Sequence, residues 1–302
     1  MPVPTIIQNA TPGITSISVL ITELEKYLPV FMLVVARCFG LTMQAPFFST
    51  KIVPAAIRAP LVIALSMMYI IVFNPQITNL PESPILFTIL MVKEVLIGAL
   101  FGFCASIVVF AVQAAGELAD VQMGLSMVML FNPATKSQTS AMGRLYYQMM
   151  LFLFIAVDAH LFLLLAFFNS FDAVPLGAFS FASPIVLNEF LLIVSKIFYV
   201  AVQIALPILV VLFIVDFSLG ITNRVSPQIN VLELNFAMKP TTGFIVIIII
   251  LSTVVSVMVE YSGVAVQDGK RIIRAVQKAN IVKENKEIDR LKKAGLNVQQ
   301  RK

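Results

Sequence analysis

The sequence predicts an all-α membrane protein. Its six or so apolar segments read as bent helices and helical hairpins, not all of them conventional spans, followed by a basic C-terminal helical tail. Three observations carry this. Of 302 residues, 59% are hydrophobic and only 12% are charged, where ordinary soluble domains carry about 25% charged residues. Six apolar stretches are parted by proline-containing breaks such as Ala45-Pro46, Val53-Pro54, Asn74-Pro75, Asn132-Pro133 and Val174-Pro175. The basic residues between those stretches do not alternate as six regular spans require.

Residues 1–26 form a short polar lead with helical character at Ile14–Glu25 and no positive n-region of a cleavable signal. The membrane region covers 27–260. Its apolar stretches are Tyr27–Gln44, Ala59–Phe73, Ile85–Ala115, Leu145–Phe168, Phe190–Val215 and Gly243–Val259. A span needs ~20 residues, so two stretches are short and the third is far too long. Pro207 inside the fifth is expected to kink it. Gly98-x-x-x-Gly102 in the third offers a close-approach face, either within the chain or against a neighbouring subunit.

Lys51 and Arg58, Lys136 and Arg144, and Arg224 and Lys239 supply the first, third and fifth connections; the second and fourth have neither Lys nor Arg. The positive-inside rule puts the first set in the cytoplasm. Six spans would then place the tail outside, yet residues 261–302 carry eleven Lys/Arg against four Asp/Glu. At least one apolar stretch must therefore fold as a hairpin or re-entrant element. The tail reads as a solvated helix near an anionic leaflet, or as a partner-docking helix. Nucleic-acid binding is not expected, since topology accounts for the basicity and no reader motif accompanies it.

Ionisable residues within the apolar stretches are Arg37, Lys93, Glu94, Asp158, His160 and Lys196, with Asp216 at the end of the fifth. Each is costly at membrane depth and needs a partner or a wet cavity. Lys93 and Glu94 are adjacent and must look to different helices. Asp158 is expected to pair with Arg37 or Lys196, or else to form a proton relay with His160. Lone His160 and two separated cysteines provide no metal site, and no cofactor is expected. No hydrolase, nucleotide-binding or metalloprotease motif is present, so the chain reads as a non-enzyme.

The segment Gly116–Thr135 is distinctive. It begins with Glu117 and Asp120, turns apolar and methionine-rich from Met123 to Phe131, and stops at Asn132-Pro133. Nine helical residues rise only ~14 Å, far short of a bilayer core. A loop carrying Met123, Leu125, Met127, Val128, Met129, Leu130 and Phe131 is too apolar for water. It is either a buried turn or a cover, and methionines suit a surface that closes and reopens.

Several blocks together resemble the FliR/SctT family of type III secretion export-gate proteins over about residues 28–260. They are Arg37-Cys38-Phe39-Gly40-Leu41 with Ala45-Pro46-Phe47-Phe48, then Ala114-Ala115-Gly116-Glu117 and Gln122-Met123-Gly124-Leu125-Ser126, and Phe131-Asn132-Pro133. The densest is Gly220-Ile221-Thr222-Asn223-Arg224-Val225-Ser226-Pro227-Gln228-Ile229-Asn230-Val231. The resemblance implies a subunit of the flagellar gate in the bacterial inner membrane, within the flagellar basal body. It implies assembly with FliP and FliQ, with FlhB and FlhA alongside, around a channel for unfolded flagellar proteins in transit. Membrane lipid is a further partner.

The family's plug corresponds to Leu125–Pro133, within a loop expected at about 116–135. Asn132 and Ala159 stand where the family commonly has Asp and Gly. Arg37, Lys93, Glu94, Glu117, Asp120, Asp158, His160, Arg224, Gln228 and Asn230 are the expected intramembrane or interface polar residues, and the tail is expected in the cytoplasm. The rival class is a secondary transporter or ion channel using Asp158 and His160, with a broken helix at Pro207.

Overall fold

The computed structural model describes residues 12–46, 48, 53–73, 75, 83–127, 140–177, 183–228 and 230–293. Seven α-helices account for nearly all of them. They are α1 (Pro12–Gln44), α2 (Ala55–Phe73), α3 (Pro84–Met123), α4 (Ala141–Ala156), α5 (Ala159–Ala173), α6 (Pro184–Val225) and α7 (Val231–Lys293). A single 3-10 turn, Leu125–Met127, follows α3. No strand occurs among the described residues. Five helices are long and apolar enough to cross a membrane, or six if the bent pair α4–α5 makes one span.

Local chemistry sets the helix starts. Pro84 and Pro184 occupy first-turn positions, where a missing N–H costs nothing, after Ser83 and Ser183. Ser140 caps α4 by accepting a hydrogen bond from Gly143 N at 2.8 Å. The break in the fourth apolar stretch needs no proline. Asp158 takes the left-handed conformation (φ 56°), and α4 and α5 meet there at a bend of 72°. One apolar stretch thus becomes a corner, by its geometry either a broken span or a re-entrant element. Pro207 does not break α6, which runs through it for 42 residues.

The long helices exceed any bilayer. At 1.5 Å per residue the 42 residues of α6 reach ~63 Å, about twice a hydrocarbon core. Helices α6 and α7 lie antiparallel, as three side-chain pairs show. Asp216 meets Lys239, Gln203 meets Tyr261, and Lys196 meets Asp268. The two ion pairs stand twenty positions apart on α6, ~30 Å along the helix, with an apolar stretch between them. That separation matches the thickness of a hydrocarbon core.

Helix α3 is the central element. Gly98 and Gly102 both face α1, where a Cβ on Gly102 would stand 2.7 Å from Leu41 O. Gly40 returns the contact against Val95 and Ala99. The small-residue face is therefore spent within the chain, between α1 and α3. The main core joins all seven helices through residues such as Leu41, Phe101, Val109, Tyr146, Phe167, Ala205 and Ile272. Tyr69 of α2 stacks on Phe171 of α5 with ring centroids 4.1 Å apart.

Three expectations need correction. The stretch Gly116–Met123 is helix, not loop: α3 continues to Met123, and Gly124 (φ 76°) ends it with its N–H on Asp120 O and Val121 O. Ala119, Asp120 and Met123 are buried on one face there, so packing extends the helix past the apolar run. The tail, moreover, is not simply solvated. Helix α7 passes through 260/261 unbroken, and Ala265, Val266, Asp268, Ile272, Ile273, Val276 and Ala279 are buried against the rest of the protein. Its basic residues Lys270, Arg271, Arg274 and Lys278 occupy the exposed side. Likewise α1 runs through 26/27 without a break.

Candidate functional site: the root of the apolar segment

The apolar segment enters from α3 and leaves into α4. Its root is described; Val128, Met129, Leu130, Phe131, Asn132 and Pro133 lie outside the described residues, as does the side chain of Met127. Asp120, 2% exposed, reaches both stems. One carboxylate oxygen accepts from Ser126 Oγ at 3.5 Å, and the other from Met142 N at 3.4 Å. Gly116 makes room for this, since a Cβ there would stand 2.5 Å from Met142 O. The entry and exit of the segment are thus drawn together by one buried carboxylate. Glu117, by contrast, is exposed and accepts from Gln113 Nε2 at 2.8 Å.

Met123 is fully buried. It packs with Ala119, Met142, Ile208, Leu212, Val246 and Ile247, and Leu125 packs partly against the same cluster. Gly243 of α7 provides the space. The neighbouring Gln122 makes a polar contact instead, donating from Nε2 to Asp216 Oδ2 at 3.0 Å. The second oxygen of Asp216 pairs with Lys239 Nζ at 2.6 Å. Successive residues at the end of α3 are therefore seated on α6 and α7.

The remaining ionisable residues go elsewhere. Arg37 and Glu94, both fully buried, pair at 2.5 Å. Arg37 also donates to Val174 O at 3.0 Å and to Ser170 O at 3.4 Å, and lies 4.2 Å from the Phe171 ring centre. Glu94 accepts from Gly177 N at 2.7 Å. This buried pair ties α1, α3 and the end of α5 together. Glu94 looks across helices, as its adjacency to Lys93 required.

The expected pairing of Asp158 with Arg37 or Lys196 is overturned. Arg37 is taken by Glu94, and Lys196 pairs with Asp268 at 2.5 Å. Asp158 is exposed at the α4–α5 corner. His160 is half-buried, its Nδ1 buried without a hydrogen-bond partner. Lys93 is half-buried, while Arg224, Gln228 and Asn230 are exposed around the α6–α7 turn. Asn230 Oδ1 accepts from Glu233 N at 3.4 Å as a cap to α7. Among the described residues no cluster of His, Cys, Asp or Glu could hold a metal ion.

The profile of the bacterial export proteins, family 1, matches residues 28–263. The chain belongs to that family. Its relatives include flagellar biosynthetic protein FliR of Bacillus subtilis strain 168, 29% identical over 254 residues, which cover 82% of this chain and 96% of the relative. FliR of Escherichia coli K12 is 29% identical over 212 residues, 68% of this chain and 78% of the relative. Yop proteins translocation protein T of Yersinia pestis is 28% identical over 234 residues, 75% of this chain and 87% of the relative. Flagellar and Yop relatives thus match almost equally well. The chain is a multi-pass membrane component of type III protein export, in the FliR/SctT family.

Three elements of the site escaped the sequence reading: the Gln122–Asp216–Lys239 contacts, the Gly243 notch and the two-stem grip of Asp120; the Lys196–Asp268 pair, ~30 Å away along α6, escaped it too. Lys239 entered only as a topological charge. The available signals were Asp216 and Lys196, charges in or at the end of an apolar stretch that require partners, and Asp120 at the start of the distinctive segment.

Proposed function

We propose that this chain is a subunit of the flagellar type III export gate. It forms part of the channel for unfolded flagellar proteins, and its methionine-rich segment Leu125–Phe131 closes that channel at rest; Met123, expected within the apolar loop, is instead a fully buried helix residue that anchors it. One observation carries the reading: Asp120 grips both stems of an apolar segment. A carboxylate that joins both stems suits a segment anchored at its root, as a seal that opens and returns requires. A hydrophobic constriction excludes water, and with it ions. Leucine and methionine side chains yield to a passing polypeptide and return, having no fixed polar contacts to remake.

Much apolar surface supports an assembled state. Phe198, Phe213, Ile248 and Ile249 are each more than 65% exposed on α6 and α7. Lipid would cover part of them. Because α6 is ~63 Å and α7 ~95 Å long, about two and three times a hydrocarbon core, apolar residues beyond the two ion pairs, such as exposed Val225 and Leu232, need protein, and FliP and FliQ are the proposed cover, with FlhB and FlhA nearby. The gate lies in the bacterial inner membrane at the flagellar basal body, with the basic tail in the cytoplasm. Buried Arg37 and Glu94 serve packing, whereas exposed Arg224, Gln228 and Asn230 are available to neighbouring subunits.

The test is deletion of Met127–Leu130 in cells that assemble the whole complex. Potassium loss and a fall in membrane potential are expected. Unchanged permeability with normal assembly would sink the seal. The buried Nδ1 of His160, without a hydrogen-bond partner beside the α4–α5 corner, favours the transporter reading. It predicts ion or small-molecule flux by the purified chain alone, and His160→Gln would abolish that flux.

A further inference from the structure

Beyond the family match, from Val264 outward, α7 has two unlike sides. The buried side packs Ala265, Ile272, Ile273, Val276 and Ala279 into the main core. The exposed side carries Lys270, Arg271, Arg274 and Lys278. Lys270 and Arg271 stand four and three residues before Arg274, and Lys278 four after it. Like charges at these spacings share a helix face and repel one another. Among the described residues the one ion pair that any of the four makes is Arg271 Nη1 with Asp268 Oδ1, at 3.8 Å. That same oxygen already holds Lys196 Nζ at 2.5 Å. Nearby acids do not make up the balance. Glu260 of α7 is ten residues, ~15 Å, from Lys270, and Glu189 of α6 forms no ion pair with any of them. The cluster therefore lacks countercharge.

Its depth follows from α6. Tyr199 is 67% exposed beside exposed Phe198. Tyr261 of α7, bonded to Gln203 one turn inward, stands close to it. Tyrosines at the end of an apolar surface mark the edge of a hydrocarbon core. Lys196 is three residues, ~5 Å, beyond Tyr199, and its ion pair holds Asp268 at that level. Lys270, Arg271 and Arg274 follow at ~3, ~5 and ~9 Å past Asp268. The headgroup layer on each side of the core is ~5–8 Å thick. The three basic residues thus stand among the lipid phosphates or just outside them. The buried side of α7, with Gly269 against Phe101, keeps them at that depth.

We propose that Lys270, Arg271 and Arg274 form a binding site for the headgroup of an anionic phospholipid. The lipid phosphate supplies the countercharge that the protein lacks and relieves the repulsion along the helix face. Two guanidinium groups suit this role, because each can give a phosphate a pair of parallel hydrogen bonds. The site stands whether or not the apolar segment is a seal.

The test uses the full chain purified in a neutral detergent, with lipid binding read by native mass spectrometry. The probes are phosphatidylglycerol, phosphatidylcholine and inorganic phosphate. Phosphatidylglycerol should bind more tightly than the other two, and its binding should weaken as ionic strength rises. Replacing Lys270, Arg271 and Arg274 together by Gln should lower that affinity on the order of a hundredfold, at roughly fivefold per basic residue. Arg274→Gln alone should cost about fivefold. Replacing Lys283, Lys286 and Arg290 by Gln removes the same charge ~22–33 Å beyond Asp268 and should leave binding unchanged. Because the three altered side chains of the first variant are exposed, Cys38 and Cys104 should stay unreactive to maleimide in it. If those cysteines react, the single variant carries the test.

Unaltered phosphatidylglycerol affinity in the proximal variants would overturn the site, and loss of a co-purifying subunit in its place would make this face a protein contact. An equal loss in the distal variant would show attraction by net charge alone and would also overturn it. Inorganic phosphate binding as tightly as the lipid would reassign the cluster to a soluble anion.

Discussion

Met123 fills a notch that only glycine at position 243 leaves open: a Cβ on Gly243 would stand 2.6 Å from Met123 Cγ and 2.8 Å from its sulfur. The contact joins the end of α3 to α7 at the root of the apolar segment. Truncation by Met123→Ala would leave a cavity beside Ile208 and Leu212, at a cost of about 2–5 kcal/mol. Gly243→Ala would overpack the same place, at about 1–3 kcal/mol, moderated by methionine's flexibility. The double variant should cost less than the sum, because the added methyl partly fills the vacated space. Thermal unfolding of the detergent-purified complex measures all three.

The buried Arg37–Glu94 pair predicts an asymmetric mutational response. Arg37→Ala leaves the Glu94 carboxylate without its charge partner and uncaps the carbonyls of Ser170 and Val174. Glu94→Ala strands a guanidinium that is 0% exposed. Each should cost about 3–5 kcal/mol and strongly reduce the amount of co-purifying complex. Arg37→Met with Glu94→Met should recover much of that loss, since no buried charge remains. Equal loss in the double variant would mean that the hydrogen bonds to the α5 end, not the charge pair, dominate.

The sequence makes the helical class legible because composition and proline breaks report on the solvent, and the solvent here is lipid. It also shows that the spans are irregular, since Lys and Arg counts are a topological record independent of helix boundaries. The α4–α5 corner is not legible: Val157-Asp158 carries no glycine or proline, and the turn depends on Asp158 holding φ at 56°. Partner choice is equally hidden. Asp158 and Lys196 look matched by charge and depth, but Lys196 finds Asp268, seventy-two residues away, because α7 folds back along α6. The apolar segment itself is legible from residue type. Its root is not, because Asp120, Gln122 and Gly243 acquire their roles only once α3, α4, α6 and α7 meet.

Asp120 predicts a local effect on the exit stem. Asp120→Ala removes the acceptor for Met142 N–H, a donor in a buried setting, and for Ser126 Oγ. An orphaned buried group costs about 1–3 kcal/mol. Amide exchange at Met142 in the assembled complex should accelerate by roughly tenfold or more. Exchange in the middle of α3, around Val109, should be unaltered. A uniform acceleration would instead mean that Asp120 supports the whole fold and not the two stems.

The docking of the tail makes the two cysteines into reporters. Both Cys38 and Cys104 are 0% exposed. They are protected by different elements, however. Cys104 lies one turn from Phe101, whose ring stands 2.9 Å from a Cβ built on Gly269 of α7, and the Lys196–Asp268 pair fixes that part of α7 on α6. Cys38 lies on α1 in the main core, beside Ser66 of α2. Truncation after Gly263, where the family match ends, should uncover Cys104 alone. Membrane-permeant maleimide should then label Cys104 in the truncated protein but not in the full chain, with Cys38 silent in both. Asp268→Ala should give partial labelling of Cys104, because the pair is lost while Ile272, Ile273 and Val276 still pack. Labelling of both cysteines would point to general unfolding. Labelling of neither would mean that α3 is covered at this position by something other than its own tail.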